Sequence, residues 1–403
     1  MLAALVAGTL CAMPVEARER PRAGLFAELG LRLIGDERLL LLRPGLEIEA
    51  GLLEVALAPP LHLDLARDGA LRAADWDEVS DLGRVLASLA AEEPQGRWGV
   101  RAGALAYERL GHGTLVSDYV STLDPDHWHT GARAYVRGEA FELDALVGEI
   151  LAPQVMALRG ALRPLVWVGG GTAWTVGTSV AADFAAPGGT AAFVGVDSDA
   201  VLLREPAFGL APYLDLNLRV GGASAGAAGL HGGVLVDLAI ARRVDVALKL
   251  EGRWMAAGYL PEYFDTYYVL ERSGYPLGGT RPKALVQLPA GWGLRGEISI
   301  EGEGAWLAAL SADGRPVGPA HLGLYLAVPL PAGLMLRAAL AHRGFAGARA
   351  FFENRGWIGS AELRFDGGGP LYATGRVARI WTDGAAGRRT LWDVGLSVGL
   401  RTG

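Results

Sequence analysis

Apolar and polar residues alternate along most of this chain with a period of two. From Tyr213 to Val220 the even positions are Leu, Leu, Leu and Val, and the odd positions are Tyr, Asp, Asn and Arg. From Val244 to Trp254 the alternation returns, with charged residues at four of the odd positions. Successive side chains of a β-strand point to opposite faces, so each segment is predicted to be a strand with a different environment on each face. Further segments of this kind are Leu25 to Leu33, Phe141 to Val147, Trp174 to Phe184, Leu294 to Glu303, Leu334 to Arg343, Trp357 to Asp366 and Trp392 to Leu400.

So many alternating segments predict a single large sheet that closes on itself. The segments number about 16 to 18, and most have about 9 to 13 residues, the length that a tilted strand needs to cross a bilayer. The predicted fold class is all-β, a closed antiparallel transmembrane β-barrel of about 16 to 18 strands, formed by residues 18–403 as one unit. The alternative that period two leaves open is a soluble β-sandwich or propeller with a solvated outer face.

The connections between the segments fall into two length classes. Tight turns are predicted at Arg137-Gly138-Glu139, Arg242-Arg243, Pro289-Ala290-Gly291, Pro329 to Gly333 and Gly367 to Pro370. Longer loops are predicted at Ala185 to Pro206, Ala257 to Pro282, Ser311 to Pro319, Gly344 to Gly356 and Asp383 to Arg389. Short turns alternating with long loops are typical of a barrel whose two ends lie on different sides of an outer membrane.

The period changes once, around Asp75 to Glu93. Its apolar residues recur at spacings of three and four, which predicts an amphipathic helix or a folded loop. The long loop from Ala106 to Thr130 follows. We therefore expect residues 67–130 to contain the main loop insertions of the barrel.

The amino terminus resembles a secretory signal. Leu2 to Met13 is a short apolar stretch, followed by Pro14 and by compact residues around Ala17. Residues 1–17 are therefore predicted to be a signal peptide, and the alternative is a buried N-terminal segment. Removal of this segment would take away Cys11, the single cysteine, and with it any thiol chemistry.

Composition excludes two classes of protein. We find no run of 18 apolar residues of the kind that forms a transmembrane helix, although 51% of the residues are hydrophobic. The formal net charge is −7, both signs are mixed along the chain, and no basic run exists, so a nucleic acid is not an expected partner.

Charged residues concentrate on one parity of the predicted strands. Facing lipid they would be costly, so they are expected to line a lumen that contains either water or a cross-barrel network of ion pairs. The candidate lumen charges are Asp245, Lys249, Glu251, Arg253, Arg295, Glu297 and Glu301. Trp and Tyr residues near strand ends suggest an interfacial girdle; they are Trp98, Trp167, Trp174, Tyr213, Trp254, Tyr259, Trp292, Tyr325, Trp357, Tyr372, Trp381 and Trp392.

On these features the chain resembles Gram-negative outer-membrane β-barrel proteins. The stretch from Leu110 to Leu162 is also similar to a group of barrels with a GHGTLV-type loop, which reads here Gly111 to Val116 and continues to Leu123-Asp124-Pro125-Asp126-His127. The resemblance implies an outer-membrane location and a barrel architecture, and it implies no chemistry.

The densest polar cluster lies in the same stretch: His112, Asp118, Asp124, Asp126, His127 and His129. Carboxylates and imidazoles at such spacing are able to hold a divalent cation. The interpretation that we prefer is a loop that folds back and constricts the lumen, because Asp-Pro-Asp and the neighbouring glycines favour tight turns. No cofactor or metal is predicted.

Three functions remain open at this point. The first is a passive porin-like channel for small solutes. The second is a structural or anchoring barrel of the cell envelope without transport, surrounded by membrane lipids and with loops that serve an envelope protein. The third and weakest is a barrel hydrolase built on Ser117 with His112 or Ser121 with His129, since neither pair lies in an activating motif. A wide lumen would favour the channel, and a network of Glu251, Arg253, Arg295 and Glu297 that closes the bore would favour the anchor.

Overall fold

The computed structural model describes residues 21–241, 244–277, 279–303, 306–315, 319–352, 356–382 and 389–402. The predicted signal peptide, residues 1–17, lies outside this part of the chain, as do the turn at Arg242-Arg243 and most of the loop from Asp383 to Arg389. None of the helices in the described ranges is long and apolar enough to span a membrane.

The described residues form 25 strands, which account for most of the structure. Their bounds are β1 (Arg22–Ile34), β2 (Glu37–Ala50), β3 (Leu53–Leu57), β4 (Leu61–Asp64), β5 (Ala70–Leu71), β6 (Leu86–Glu92), β7 (Trp98–Ala104), β8 (Val116–Ser117), β9 (Thr130–Arg137), β10 (Phe141–Val147), β11 (Val155–Leu162), β12 (Trp174–Asp183), β13 (Ala191–Ala200), β14 (Leu203–Glu205), β15 (Phe208–Arg219), β16 (Ala228–Ala241), β17 (Val244–Met255), β18 (Phe264–Asp265), β19 (Gly291–Gly302), β20 (Trp306–Gly314), β21 (Ala320–Leu330), β22 (Leu334–Phe345), β23 (Trp357–Asp366), β24 (Leu371–Thr382) and β25 (Arg389–Arg401).

Two short α-helices and five 3₁₀ helices complete the regular structure of the described ranges. They are α1 (Tyr268–Glu271) and α2 (Gly347–Phe351), with 3₁₀ turns at Ala73–Asp75, Val79–Val85, Pro164–Val168, Lys283–Leu285 and Pro331–Gly333.

All strands but β8 and β18 join one antiparallel sheet that closes when β25 pairs with β1, from Phe26 opposite Arg401 to Ile34 opposite Asp393. Strands β3 and β4 both pair with β2, and β13 and β14 both pair with β15, so each couple occupies a single position in the wall. Strands β5 and β6 share a position in the same way. The described chain thus forms a closed barrel of 20 strand positions, which confirms the predicted fold class.

The predicted count of 16 to 18 strands was too low. One missed strand is β13, which lies inside the stretch from Ala185 to Pro206 that was predicted to be a loop. Its inward positions are Ala191, Phe193, Gly195 and Asp197. Small and charged residues there obscure the period of two, although the backbone pairs in register with β12 over ten residues.

The two ends of the barrel differ in their connections. The turn end carries both chain termini of the barrel, short connections at residues 51–52, 206–207, 331–333 and 367–370, and one longer connection at residues 163–173. The loop end carries the long connections at residues 105–129, 148–154 and 256–290. The predicted tight turn at Pro289-Ala290-Gly291 was wrong, because Pro289 and Ala290 end the long connection 256–290 of the loop end and Gly291 begins β19.

The segment with helical spacing is shorter than predicted. Residues Val79–Val85 form a 3₁₀ helix that begins with a capping box between Glu78 and Asp81, and the chain then returns to strand β6 at Leu86. Within the 3₁₀ helix Asp81 and Arg84 are buried, whereas Val79 and Leu82 are exposed. The spacing of three and four therefore belongs to a segment of the barrel wall whose polar side chains point inward and whose apolar side chains point outward.

The outer surface of the barrel is apolar. Large aliphatic residues of the outward parity are exposed on every side, as Leu31, Leu216, Leu250 and Leu396 illustrate. An exterior of this kind suits contact with acyl chains. Trp98, Trp167, Trp174, Trp254, Trp292 and Trp392 are exposed, as a girdle requires. Tyr213, Tyr259, Tyr372 and Trp381 are buried, so their assignment to the girdle was wrong.

Candidate functional site: the filled lumen

Two connections of the loop end fold back into the barrel and pack against each other. We call residues 105–129 the first inserted segment, residues 256–290 the second inserted segment, and both together the plug. A parallel pairing of β8 with β18 joins them, extended by a hydrogen bond from the Glu262 N–H to the Thr114 carbonyl at 2.9 Å. Their shared core contains fully buried rings of Tyr259, Tyr263, Phe264 and Tyr268.

The sequence carries a signal for the burial of the second inserted segment. Five aromatic residues, Tyr259, Tyr263, Phe264, Tyr267 and Tyr268, lie within ten positions. A loop exposed to water does not need such a density of rings, since burying them is what provides stabilisation. Packing of Phe193 of β13 against Tyr263, with 4.7 Å between ring centroids, shows that these rings meet the inner wall.

Asp215 of strand β15 contacts the first inserted segment. It accepts hydrogen bonds from Thr114 Oγ1 at 2.7 Å and from the His112 ring at 2.8 Å. His112 also stacks on Tyr213, with ring centroids 4.3 Å apart. Burial lowers the pKa of His112, but the carboxylates of Asp199 and Asp215 more than offset this and raise its pKa to about 9. His112 is therefore a cation held between the plug and the wall.

Five of the candidate lumen charges meet at the centre of the barrel. Arg253 binds Glu251 and Arg295 binds Glu297, and each pair comes from a single strand. Lys249 Nζ donates to the His112 carbonyl at 2.6 Å and lies 3.3 Å from Glu251. All five side chains are buried.

Glu262 of the second inserted segment joins these pairs, because it binds both Arg253 and Arg295. On the other side Arg109 of the first inserted segment contacts Asp118 at 2.6 Å and Glu297 at 2.9 Å. Asp118 and Glu262 have φ angles of 52° and 49°, a left-handed conformation that is unfavourable for side chains other than glycine. The ion pairs hold both residues in this conformation on either side of the β8–β18 pairing.

The two remaining candidate lumen charges lie elsewhere. Asp245 and Glu301 stand opposite each other on β17 and β19, near the turn end. They line a cavity of about 500 Å³ and take no part in the central network. The alternation assigns all seven charges to the inner face. It does not indicate that these two lie closer to the turn end than the other five.

A second group of charges fixes the plug to strand β22. Arg343 binds Asp265 and lies 3.0 Å from Glu271. Lys283 Nζ lies 3.4 Å from Asp265 and 3.5 Å from Glu271. Burial raises the pKa of Glu271, but Arg343 and Lys283 reverse the effect and lower it to about 2.

The Lys283 ammonium also lies over three tyrosine rings. Its Nζ is 5.4 Å from the ring centroids of Tyr263 and Tyr268 and 5.3 Å from that of Tyr275, distances at which cation–π attraction operates. Lys249 and Lys283 are the only lysines of the sequence, and both are buried against the plug.

The remaining residues of the polar cluster, Asp124 to His129, lie in two places. Asp126 accepts a hydrogen bond from Arg72 at 2.8 Å. His127 pairs with Asp124 at 3.2 Å and His129 with Glu149 at 3.0 Å, beside a cavity of about 290 Å³ that opens near the loop end. The hydrogen bond to Asp124 raises the pKa of His127 to about 9. In the part of the chain that is described, no three His, Cys, Asp or Glu residues form a group suited to a metal ion.

Neither serine of the two hydrolase hypotheses has a histidine as its hydrogen-bond partner in the described structure. Ser117 Oγ accepts from Arg295 at 3.3 Å, and Ser121 Oγ accepts from the Leu105 N–H at 3.1 Å. His112 and His129 bind carboxylates instead. These contacts anchor the first inserted segment and provide no activated nucleophile.

Charged side chains on the opposite side of the inner wall are much more exposed than those that contact the plug. Arg43 on β2, Arg337 on β22, Glu362 on β23 and Arg376 on β24 all have the inward parity, yet their side chains are 38%, 47%, 35% and 48% exposed. Side chains that face the interior of a closed barrel and remain exposed line a part of the lumen that no protein segment fills. The sequence does not distinguish these four residues from the buried charges, because both groups have the same parity.

Neither a family model nor a curated protein sequence matches this chain. Among solved structures it is similar to the outer membrane protein OpdK of Pseudomonas aeruginosa, with 12% identity, a TM-score of 0.39, and coverage of 95% of this chain and 99% of that one. OccK3 (OpdO) of the same organism shows 14% identity and a TM-score of 0.42, covering 95% and 96% of the two chains. Wzi of Escherichia coli, described as a carbohydrate-binding β-barrel, shows 11% identity and a TM-score of 0.38, covering 94% and 84%. The similarity is one of general barrel architecture.

Proposed function

We propose that this protein is an outer-membrane channel of the porin type, through which small solutes diffuse passively and whose outer end is restricted by the plug. The observation that carries the proposal is the half-exposed inner wall of Arg43, Arg337, Glu362 and Arg376. Charges in such positions are stable only in contact with water, and a barrel of about 16 to 18 strands is already wide enough to hold an aqueous channel.

The plug limits the size of the solutes that pass through the barrel. It occupies the side of the lumen formed by β11 to β19, where the inward residues Arg159, Asp215 and Lys249 are buried. It also reaches β22 through Arg343, β9 through the pair of Glu108 with Arg133, and the wall segment 72–84 through the pair of Asp126 with Arg72. Near the loop end, Leu270 and Leu277 of the plug share a buried cluster with Ile358 of β23 and Trp381 of β24, so the plug restricts this side as well and we expect only small solutes to pass.

Single-channel conductance in planar bilayers tests this proposal. Residues 106–129 would be replaced by a short Gly-Ser linker, and the full chain would be measured in parallel. We expect small steps from the full chain and larger steps from the variant. A second variant, Glu262→Gln, leaves residues 106–129 in place. It provides a test even if the deletion variant does not fold.

A second candidate function is a structural barrel that anchors an envelope partner without transport. The central network of Glu251, Arg253, Glu262 and Arg295 favours it, because this network ties the plug to two neighbouring strands. Under this hypothesis the full chain and both variants would be folded and inserted but electrically silent. Silence of all three forms would therefore replace the channel proposal by the anchoring one.

A further inference from the structure

A tyrosine of the plug meets a tyrosine of the barrel wall where the plug borders the exposed inner wall. Tyr107 belongs to the first inserted segment and Tyr325 to β21, and their rings form an edge-to-face pair with 5.5 Å between centroids. Both side chains are only partly buried, so ring surface remains accessible from the lumen. We call the exposed inner wall that runs from β22 through β25 to β2 the open side.

The backbone of Tyr107 is strained. Its φ angle of 59° lies in the left-handed region, which a bulky residue rarely adopts. Two backbone hydrogen bonds between Glu108 and Tyr119, at 3.0 and 2.8 Å, fix the chain directly after it, and the Glu108 carboxylate binds Arg133 at 2.7 Å. Strain of this kind concentrates at ligand sites, and it points here to the ring that the strained residue holds in the lumen.

The wall beside Tyr325 combines small residues with an ion pair. Ala339 on β22 stands opposite Tyr325, and Ala327 on β21 stands opposite Arg337. Arg337 in turn stands opposite Glu362 on β23, with 3.4 Å between the charged groups. Tyr325 and Arg337 are therefore diagonal neighbours on the inner face, about 7 to 8 Å apart, with the small side chains of the two alanines between them. This arrangement forms a recess with one aromatic side and one charged side.

The recess faces the open side. Arg337 and Glu362 are 47% and 35% exposed. Ser360 on β23, which continues the row of Tyr325 and Ala339, is exposed as well. A solute that moves along the open side therefore contacts the recess.

The charges of the recess are balanced. The Arg337 guanidinium only donates hydrogen bonds and the Glu362 carboxylate only accepts them, and the two face each other. A charged solute would compete with one member of the pair for the other. A hydroxyl group donates and accepts, so a solute with several hydroxyl groups binds both members without separating them.

The two tyrosines add apolar surface next to these polar groups. Sites for small molecules are commonly built in this way, from aromatic surface together with a few polar groups that fix the orientation. A neutral sugar in its ring form complements both parts of the recess, because it carries hydroxyl groups around its rim and apolar C–H groups on the faces of its ring.

We propose that the recess formed by Tyr107, Tyr325, Arg337 and Glu362 is a binding subsite for a neutral monosaccharide. A C–H face of the sugar lies against the tyrosine rings, and its hydroxyl groups bind Arg337 and Glu362. The place of this subsite on a solute path rests on the proposed channel function, and the subsite makes neutral sugars the solute class of that channel.

The current through the full chain in a planar bilayer tests the subsite when glucose, sorbitol or glucuronate is added. Sorbitol has the hydroxyl groups without the ring, and glucuronate adds a negative charge to the ring. We expect glucose to reduce the current with a half-saturating concentration about fivefold lower than that of either other probe. Conducting steps on which the three probes act equally would overturn the subsite and leave the channel proposal intact.

Saturation-transfer NMR of glucose with the full chain in a sugar-free detergent measures binding without conduction. Binding of glucose in preference to sorbitol by an electrically silent barrel would support the subsite and overturn the channel proposal. Equal signals from glucose and sorbitol would overturn the subsite, whether or not the barrel conducts.

Tyrosine variants test the position of the sugar. Tyr325→Ala should raise the half-saturating concentration of glucose about fivefold, whereas Tyr325→Phe keeps the ring face and should change it by less than about twofold. Tyr107→Gly should act like Tyr325→Ala, and it adds no backbone strain because glycine suits a φ angle of 59°. The matched control is Tyr135→Ala, which removes a half-buried inward tyrosine of β9 outside the recess and should leave glucose binding unchanged. Equal effects of Tyr325→Ala and Tyr135→Ala would overturn the proposal.

Discussion

Charged residues of the same parity lie on two sides of the inner wall. They are buried on one side and exposed on the other. On β17 and β19 the side chains of Lys249, Glu251 and Glu297 are at most 4% exposed and pair within the plug network. On β22 and β23 Arg337 and Glu362 lie 3.4 Å apart and remain 47% and 35% exposed. The first side is a socket for the plug and the second is a water-lined wall. An inward charge therefore indicates that a side chain faces the interior of the barrel, but it does not indicate whether that part of the lumen is filled.

The energetic consequences of the two sides should differ strongly. Removing one partner of a buried ion pair costs about 3 to 5 kcal/mol, because the other charge is left without compensation. An exposed pair contributes about 0 to 1 kcal/mol. Substitutions in the socket should therefore affect stability, and substitutions on the water-lined wall should affect permeation.

The largest effect is expected for Glu262→Gln. This change removes a charge that Arg253 and Arg295 share, so the free energy of unfolding should fall by about 3 kcal/mol. Urea titration of the folded barrel in detergent measures it. The matched control is Glu362→Gln, whose partner Arg337 is half exposed. Equal losses in both variants would contradict the distinction between the two sides.

A slightly smaller effect should follow from the protonation of His112. Its pKa is raised from 6.5 to about 9 in the folded protein. The stabilisation is therefore complete below about pH 6.5, is lost as pH rises through about 9, and amounts to at most about 3 kcal/mol. Unfolding measured from pH 6 to pH 10 should show this loss in the wild type. His112→Gln should show a flatter profile over the same range, and parallel profiles would refute the assignment.

A local effect is expected for Lys283→Met. The methionine keeps the length of the side chain but removes the ammonium that lies over three tyrosine rings, so the second inserted segment should lose about 1 to 2 kcal/mol of stability. Amide hydrogen exchange over residues 263–277 should accelerate, while exchange in β24 and β25 stays constant. Uniform acceleration throughout the barrel would instead indicate global destabilisation.

The smallest change in stability is expected for Arg337→Gln, below about 1 kcal/mol. Because this guanidinium lines the water-filled side, its loss should shift the reversal potential in a salt gradient towards cation preference. Lys249→Met, in the socket, serves as the comparison and should alter stability more than selectivity. Unchanged selectivity in Arg337→Gln would remove this residue from the solute path.

Much of the architecture was predictable from local pattern. The alternation in Tyr213 to Val220 is strict because one face meets lipid and the other the lumen, and the structure places these residues accordingly. The pattern failed at β13, where inward glycine and alanine make room for the plug. It also misplaced Tyr213 and Tyr372, since a ring near a strand end is compatible with either face.

The candidate site was predictable only in part. The sequence singled out His112 and Asp118 as members of a loop folded into the lumen, and the structure places them against β15 and Arg109. It did not indicate that Glu262 would join Arg253 and Arg295, because these contacts connect different strands and a loop. Side-chain parity carries no information about such long-range partners.

The period of two alone is enough to predict a closed β-barrel with an apolar exterior and a charged interior, because strand geometry converts it directly into two faces. Which part of the interior is filled depends on contacts that exist only in the folded protein. The folding of residues 105–129 and 256–290 into the bore depends on the β8–β18 pairing and on ion pairs such as Arg343 with Asp265. Those contacts join residues far apart in the chain, and they form only once the wall has brought their partners to the same place.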